Sequence, residues 1–343
     1  SEFNTFEERI DHHINLIKEN QKNKRMLSIV EFRPKSKQSI ANFARIGTGS
    51  LGGKARGLAF ANSYWKNNEI SEKYTDVNFR VPRIAVVSTD EFDEFMKEND
   101  LWEKVLSLDE NKVIEDIFLK NNLSKKIINS LKDFLNDVKF PLAVRSSSLL
   151  EDSQYQPLAG MYSTFMLSNS HRNKTERLDQ LCEAIKRVYA STFFQEPKTL
   201  MENIVHRHEE EKMAVIIMEM IGQKHDVYFY PTISGVAQSY NYYPISYMER
   251  DEGIVFTALG LGRTIVEGGQ ALRFSPKYPN IIPQFHSIKS TIENSQNSFY
   301  ALNMANGENK LNRGEEKNLE KLDLKYAENH GVLRHVASVV CNE

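Results

Sequence analysis

Two stretches of this 343-residue chain carry the kinds of side chain that handle phosphate. The first is Gly47-Thr-Gly-Ser-Leu-Gly-Gly-Lys54. Its glycines let backbone N–H groups turn inward with no Cβ in the way, a helix N-terminus adds partial positive charge, and Lys54 adds a full one. The second is Val144-Arg145-Ser146-Ser147-Ser148. There a guanidinium fork and hydroxyls stand where a buried strand emerges, the usual place for a ligand in layered α/β structure. Gly160-Met161-Tyr-Ser-Thr164 adds a small, flexible turn able to close over such a ligand. Each stretch also has a simpler reading. The first suits a helix-opening loop with an exposed lysine. The second suits Arg145 paired with Glu151 or Asp152, with the serines capping a turn.

Several better-known chemistries do not fit. A Walker A loop needs glycine where Thr48 stands and a hydroxyl where Ala55 stands. Gly47-x-Gly49-x-x-Gly52 matches the dinucleotide fingerprint, but Ile40–Ile46 is not expected to be the strand that motif requires. No Gly-x-Ser-x-Gly elbow surrounds Ser146–Ser148, which excludes a triad hydrolase of that kind. His12 and His13 are adjacent, so on a helix they diverge by about 100° and do not grip one metal ion.

The elements that must position these groups follow from periodicity. Phe6, Ile10, Ile14 and Ile17 predict an amphipathic helix within residues 5–25, followed by a basic linker to residue 46. A helix is expected over Lys54–Trp65, a strand at 83–87 leading through Ser88-Thr89-Asp90 into a helix, and helices near 109–121 and 124–138, the latter capped by Ser124. Pro141–Val144 is a short buried strand, and helices follow near 174–192 and 197–208. Strands are expected at 213–219, 227–230, 232–239 and 254–259. This shift from helix to strand puts the domain boundary near residue 210: an N-terminal segment 1–46, a first lobe 47–210 and a second lobe 211–343. The polar stretch 295–330 is expected to be a mobile insertion, and Glu315-Glu316 to be solvated.

Lysine and arginine number 44 against 46 acidic residues, so no overall field draws nucleic acid or anionic lipid. The longest apolar run, Met213–Met218, falls far short of the roughly 20 residues of a membrane span. Two cysteines, Cys182 and Cys341, are too few for a disulfide scaffold, and a cytoplasmic protein is expected. The chain opens Ser1-Glu2-Phe3 and stops inside the apolar run Val336–Val340, so an excised, C-terminally truncated fragment is expected.

In order and rough spacing, residues 47–276 resemble the N-terminal nucleotide-binding domain of pyruvate phosphate dikinase and phosphoenolpyruvate synthase. The resemblance rests on Gly52-Gly53-Lys54-Ala-x-Gly57-Leu58, Pro141-Leu-Ala-Val-Arg145-Ser-Ser-Ser and Ala159-Gly160-Met161-x-x-Thr164-Phe. It continues through Ala214–Glu219, Ile233-Ser-Gly-Val236, and Ala258-Leu-Gly-Leu-Gly262 with Val266-x-Gly268. It implies an α+β, ATP-grasp-like fold of two lobes. It implies that Lys54 and Arg145 contact ATP phosphates, aided by Gly52, Gly53 and Ser146, with Gly160, Met161 and Thr164 lying over them. The strand ending at Glu219 would run into the segment that holds adenine. The implied partners are a phosphohistidine carrier domain and a pyruvate/phosphoenolpyruvate domain, downstream or on another chain.

Two positions depart from the pattern. Arg263 stands where the family usually has an acid after Gly-Leu-Gly, with Glu267 the nearest carboxylate. The family's magnesium-holding acid pair has no counterpart here, so the carboxylates for Mg2+ are expected beyond residue 343. Three functions stay open on these residues: a phosphotransferase of the dikinase type, a non-catalytic nucleotide-binding module, and a dikinase with an antibiotic or glucan acceptor.

Overall fold

The computed structural model describes residues 30–31, 43–67, 73–148, 160–202, 211–245, 247–305 and 319–336. The expected helix at 5–25 with His12 and His13, Glu151, Asp152, Pro157, Glu315, Glu316 and the run 337–340 lie outside these. Two compact units emerge, one drawn from Ser1–Leu167 and Asn173–Glu219, the other from Ser168–Arg172 and Met220–Glu343.

The first unit is built on a six-stranded mixed sheet. In chain order its elements are β1 (Val30–Glu31), β2 (Phe43–Ile46), α1 (Gly52–Asn67), β3 (Ile84–Val87), α2 (Thr89–Glu98), α3 (Trp102–Leu106), α4 (Asn111–Lys120), α5 (Lys125–Asp137), β4 (Leu142–Ser148), β5 (Thr164–Leu167), α6 (Lys174–Ser191), α7 (Gln195–Glu202) and β6 (Met213–Glu219). The sheet order is β1-β2-β3-β6-β4-β5. The first three strands are parallel and the rest pair antiparallel.

Both faces of this sheet are buried, which is why β3 and β6 read as unbroken apolar runs and not as alternating ones. On one face Ala55, Leu58 and Ala59 of α1 pack with Phe43, Ile84, Val86, Ala214 and Ile216. On the other, Ala85, Val87, Val144, Val215 and Ile217 are fully covered. Behind them, Phe92 and Phe95 of α2 lie 5.0 and 5.7 Å from the Tyr189 ring of α6, and Phe118 of α4 continues the aromatic layer. The Ser124 hydroxyl accepts from the Ile127 amide and caps α5 as expected.

Three expectations are corrected here. Phe43–Ile46 is a strand, hydrogen-bonded parallel to Ile84–Val87; with Arg45 in its middle and only four residues long, it shows no usable periodicity. The strand beginning at Leu142 does not end at Val144 but runs through Arg145 to Ser148, because β6 on one side supplies a ladder along its whole length. Finally, β6 follows the expected boundary near 210 yet is a central strand of the first sheet, and the units divide after Glu219.

The second unit has two antiparallel sheets. Its elements are β7 (Gln223–His225), β8 (Tyr228–Tyr230), β9 (Ser234–Gln238), β10 (Ile254–Ala258), α8 (Arg263–Val266), β11 (Leu272–Phe274), α9 (Ile288–Asn294), β12 (Ser298–Asn303), β13 (Leu319–Asp323) and α10 (Leu324–Asn329). The sheets run β11-β10-β9 and β13-β12-β8-β7. The polar stretch 295–330 is therefore not a loose insertion where it is described. Phe299, Ala301, Leu302 and Leu322 are buried, and β12 pairs with β13 over five residue pairs. Alternating burial, hidden among many polar residues, carries these strands.

Candidate functional site

The site is built at the end of β4 where α1 begins. The glycine loop joins β2 to α1, and α1 leads back to the parallel strand β3, so the strand–loop–helix context of a phosphate loop is present after all. Its first half, however, already holds an anion. The Asp90 carboxylate accepts from the Thr48 amide at 2.8 Å, the Thr48 hydroxyl at 2.8 Å and the Gly49 amide at 2.9 Å. The Ser88 hydroxyl donates to it at 2.5 Å, and the Ser50 amide donates to Thr89 Oγ1 at 3.0 Å. Burial pushes the Asp90 carboxyl up, but the hydrogen bonds from Ser88, Thr48 and Gly49 outweigh it and hold the group well below the usual carboxylate range. In dinucleotide-binding folds the acid after the second strand reaches the ribose. Here the acid after β3 turns back onto the loop, and this, not a missing strand, sets the motif apart.

Asp90→Ala should cost the first unit about 2 kcal/mol, by orphaning these donors. Because the folded carboxyl titrates below its unfolded value near 3.9, its contribution is fully present above that pH. The difference between wild type and Asp90→Ala should stay level from pH 5 to 8 and shrink only as pH falls below about 4. Urea melts across that range check both statements.

The second half of the loop is bolted to β4. Ser147 donates its hydroxyl proton to the Leu51 carbonyl at 2.8 Å and accepts from the Ala55 amide at 3.0 Å. Gly52 has φ +73°, and a Cβ there would sit 1.6 Å from the Ser147 carbonyl oxygen. Strand alternation then decides what shares this face. Ser147 and Arg145 point the same way, toward α1, and Thr164 of β5 is the direct cross-strand partner of Arg145. Lys54 stands in the first turn of α1, a turn with no acidic residue, where a cation is unfavourable against the helix dipole unless an anion is near. Among the described residues Arg145 has no ion pair, and its buried Nε has no hydrogen-bond partner. Thus Gly52, Gly53, Lys54, Arg145 and Thr164 gather at one end of one sheet face.

The remaining expected residues lie elsewhere. The Ser146 side chain is 1 % exposed and points to the opposite face, so the hydroxyl that meets the helix start is that of Ser147. Sequence reading treats the three serines alike; only the extension of β4 through them separates their directions. Gly160 is exposed with φ +79° and open space around it, and Met161 follows half-buried. The turn is anchored just beyond, where the Tyr162 hydroxyl donates to Glu211 at 3.0 Å and the Ser163 amide to Ser191 at 3.2 Å. Glu219 pairs with Leu142 at the far end of β4, five residues along β6 from the partner of Ser147, or about 17 Å. Its carboxylate is engaged by Arg80 at 3.3 Å and by the Arg83 amide at 3.2 Å.

Over residues 48–339 the sequence matches the pyruvate phosphate dikinase AMP/ATP-binding domain. The chain belongs to that family. The match begins within the glycine loop and takes in both units. A curated relative, the uncharacterized phosphotransferase YvkC of Bacillus subtilis (strain 168), is 26 % identical over 199 residues, 57 % of this chain and 21 % of that protein. The aligned part of the chain thus spans about a fifth of that relative's length.

The family's second glycine turn, Gly260-Leu-Gly262, lies in the second unit after β10. Ser234 donates to the Gly260 carbonyl at 2.5 Å, and Gly260 has φ +81° where a Cβ would meet Phe299 and Tyr300 at 2.8 Å. Arg263, in place of the usual acid, donates to Glu267 at 2.6 Å and lies 5.1 Å over the Tyr300 ring. Among the described residues no group of three or more His, Cys, Asp or Glu side chains is placed to hold a metal ion, and no helix is long and apolar enough to cross a membrane.

Proposed function

We propose that this chain is the ATP-binding part of a phosphotransferase of the phosphoenolpyruvate synthase and pyruvate phosphate dikinase kind, working in the cytoplasm on an ATP-grasp-like fold. The observation that carries the reading is the Ser147 junction. It fastens the start of α1, with Lys54, to β4, whose same face bears Arg145 with Thr164 of β5 opposite it. Phosphoryl transfer asks a protein mainly for positioning and neutralisation of charge on phosphate oxygens. Lys54 supplies a point charge, Arg145 a planar fork, and the N-terminal end of α1 a dipole.

In this reading the phosphates lie at the Lys54 end of the sheet and the base lies toward the Glu219 end. Gly160 and Met161 form the turn over the phosphates. A phosphoryl group passes from ATP to a histidine on another domain or chain, the P–O bond to the nucleotide breaking as the P–N bond forms, and then on to pyruvate. Magnesium accompanies ATP in the family, but among the described residues no group of three or more His, Cys, Asp or Glu side chains is placed to hold it.

Calorimetric titration of the chain with ATP tests the proposal. Saturable binding should appear and weaken at least about tenfold in Lys54→Ala, the loss of one charge-assisted hydrogen bond. Absence of binding, or binding indifferent to Lys54, overturns it. ATP binding with no phosphoryl transfer to any histidine partner supports instead the non-catalytic module.

A further inference from the structure

The helix layer behind the sheet of the first unit holds a cavity of about 410 Å3, the size of a small-molecule pocket. Its apolar lining comes from Leu119 of α4, Leu123 in the loop that follows, Ile128 of α5 and Leu178 of α6. α6 also lends it Asp179, Cys182 and Lys186, which recur three and four residues apart on one helix face. Burial pushes the Cys182 thiol up to about 12, so at neutral pH it is an uncharged wall and not a nucleophile. The charged groups are differently placed. The Lys186 amine is fixed at the C-terminal end of α4, donating to the Leu119 carbonyl at 2.8 Å and the Asn121 carbonyl at 3.1 Å. An ammonium has three donors, so one N–H is left over. Glu183 is taken by Arg187 at 2.7 Å. Asp179 is exposed, and among the described residues it makes no hydrogen bond or ion pair, with Lys186 or any other.

We propose that this cavity binds a free α-amino acid with an apolar side chain, its carboxylate on the Lys186 amine, its ammonium on Asp179 and its side chain among Leu119, Leu123, Ile128 and Leu178. Charge complementarity selects this class. A simple organic anion satisfies the leftover Lys186 donor but brings a second negative charge toward Asp179 and Glu183. An alkylamine satisfies Asp179 but leaves the Lys186 donor unmet in an apolar recess. A zwitterion meets both, and the two helical turns between Asp179 and Lys186, about 10 Å along the axis, leave room for it. The fixed Lys186 amine makes the donor rigid before the ligand arrives, which lowers the entropy cost of binding. The cavity lies among α4, α5 and α6, on the sheet face away from α1, so this binding is independent of how ATP binds.

The test titrates the full chain calorimetrically with L-leucine, L-isoleucine, L-methionine and L-phenylalanine. At least one should bind with a dissociation constant of about 1 mM or tighter. The tightest of the four should lose at least about tenfold in affinity, one charge-assisted hydrogen bond, when its amine is acetylated, when its carboxylate is removed, and in Asp179→Asn. Asp179 is exposed, so the variant should keep the wild-type melting temperature. Methyl NMR of the wild type should show the ligand shifting the Leu123 and Ile128 resonances. Failure of all four to bind, binding indifferent to Asp179→Asn or to the loss of either ligand charge, or shifts confined to other methyl groups overturns the proposal.

Discussion

Gly52→Ala should destabilise the first unit by about 4 kcal/mol or more, enough to leave a marginal domain largely unfolded at 37 °C. Two costs combine. A left-handed backbone at φ +73° strains any residue with a Cβ by about 1–2 kcal/mol. The new methyl would also lie 1.6 Å from the Ser147 carbonyl oxygen and 2.4 Å from its carbonyl carbon. Those are main-chain atoms of a strand held along its whole length by the β6 ladder, so no rotamer change relieves the overlap. The only escape is to lift α1 off β4, which breaks the Ser147 bonds to Leu51 and Ala55. Gly57→Ala, five residues along the same helix, is the matched control. It meets nothing within 4 Å and should stabilise by about 0.5–1 kcal/mol, because alanine loses less backbone entropy in a helix. Paired urea melts of the two variants should move in opposite directions. If Gly52→Ala melts like wild type, the close approach of α1 to β4 is wrong.

Most of the first unit was legible where a single periodicity ran long enough. The helices at Lys125–Asp137 and Lys174–Ser191 show it, as does the apolar strand Met213–Glu219. What escaped was short or masked by composition. β2 has four residues, one of them Arg45, and its strand state comes from parallel pairing with β3 that no local pattern announces. In β12 and β13 apolar positions alternate inside a polar segment, and cross-strand burial of Phe299 and Leu322 overrides the look of a loop. At the candidate site, residue types pointed to β4 but could not give the directions of its side chains. Once β4 continues through Arg145, a period of two sends Arg145 and Ser147 toward α1 and Ser146 away from it. Asp90 shows the other kind of miss. Ser88-Thr89-Asp90 reads as a helix cap, yet Ser88 makes no cap bond and the acid reaches back across 42 residues to Thr48. Such a contact becomes visible only when β2 and β3 lie side by side.

Arg145→Met should raise stability and lower nucleotide affinity together, a combination that separates a ligand-binding arginine from a structural one. In the fold described here the guanidinium is half-buried, its Nε is shielded from water, and no acid or carbonyl among the described residues accepts from it. A desolvated charge without a partner costs stability, and replacing it with an apolar side chain of similar length removes that cost, a gain of about 1 kcal/mol. Residues kept at such a cost are kept for what they bind. With ATP present the balance reverses. A guanidinium on a phosphate is worth about 1.5–3 kcal/mol, so affinity should fall on the order of 100-fold in the variant. ATP should therefore raise the melting temperature of wild type but scarcely that of Arg145→Met, although the variant melts higher without nucleotide. Arg145→Lys sharpens the comparison, since it keeps the charge and loses the fork; it should recover only part of the affinity. Should Arg145→Met instead lower the melting temperature and leave ATP binding intact, Arg145 is a structural residue and the phosphate site must be sought away from the Ser147 junction.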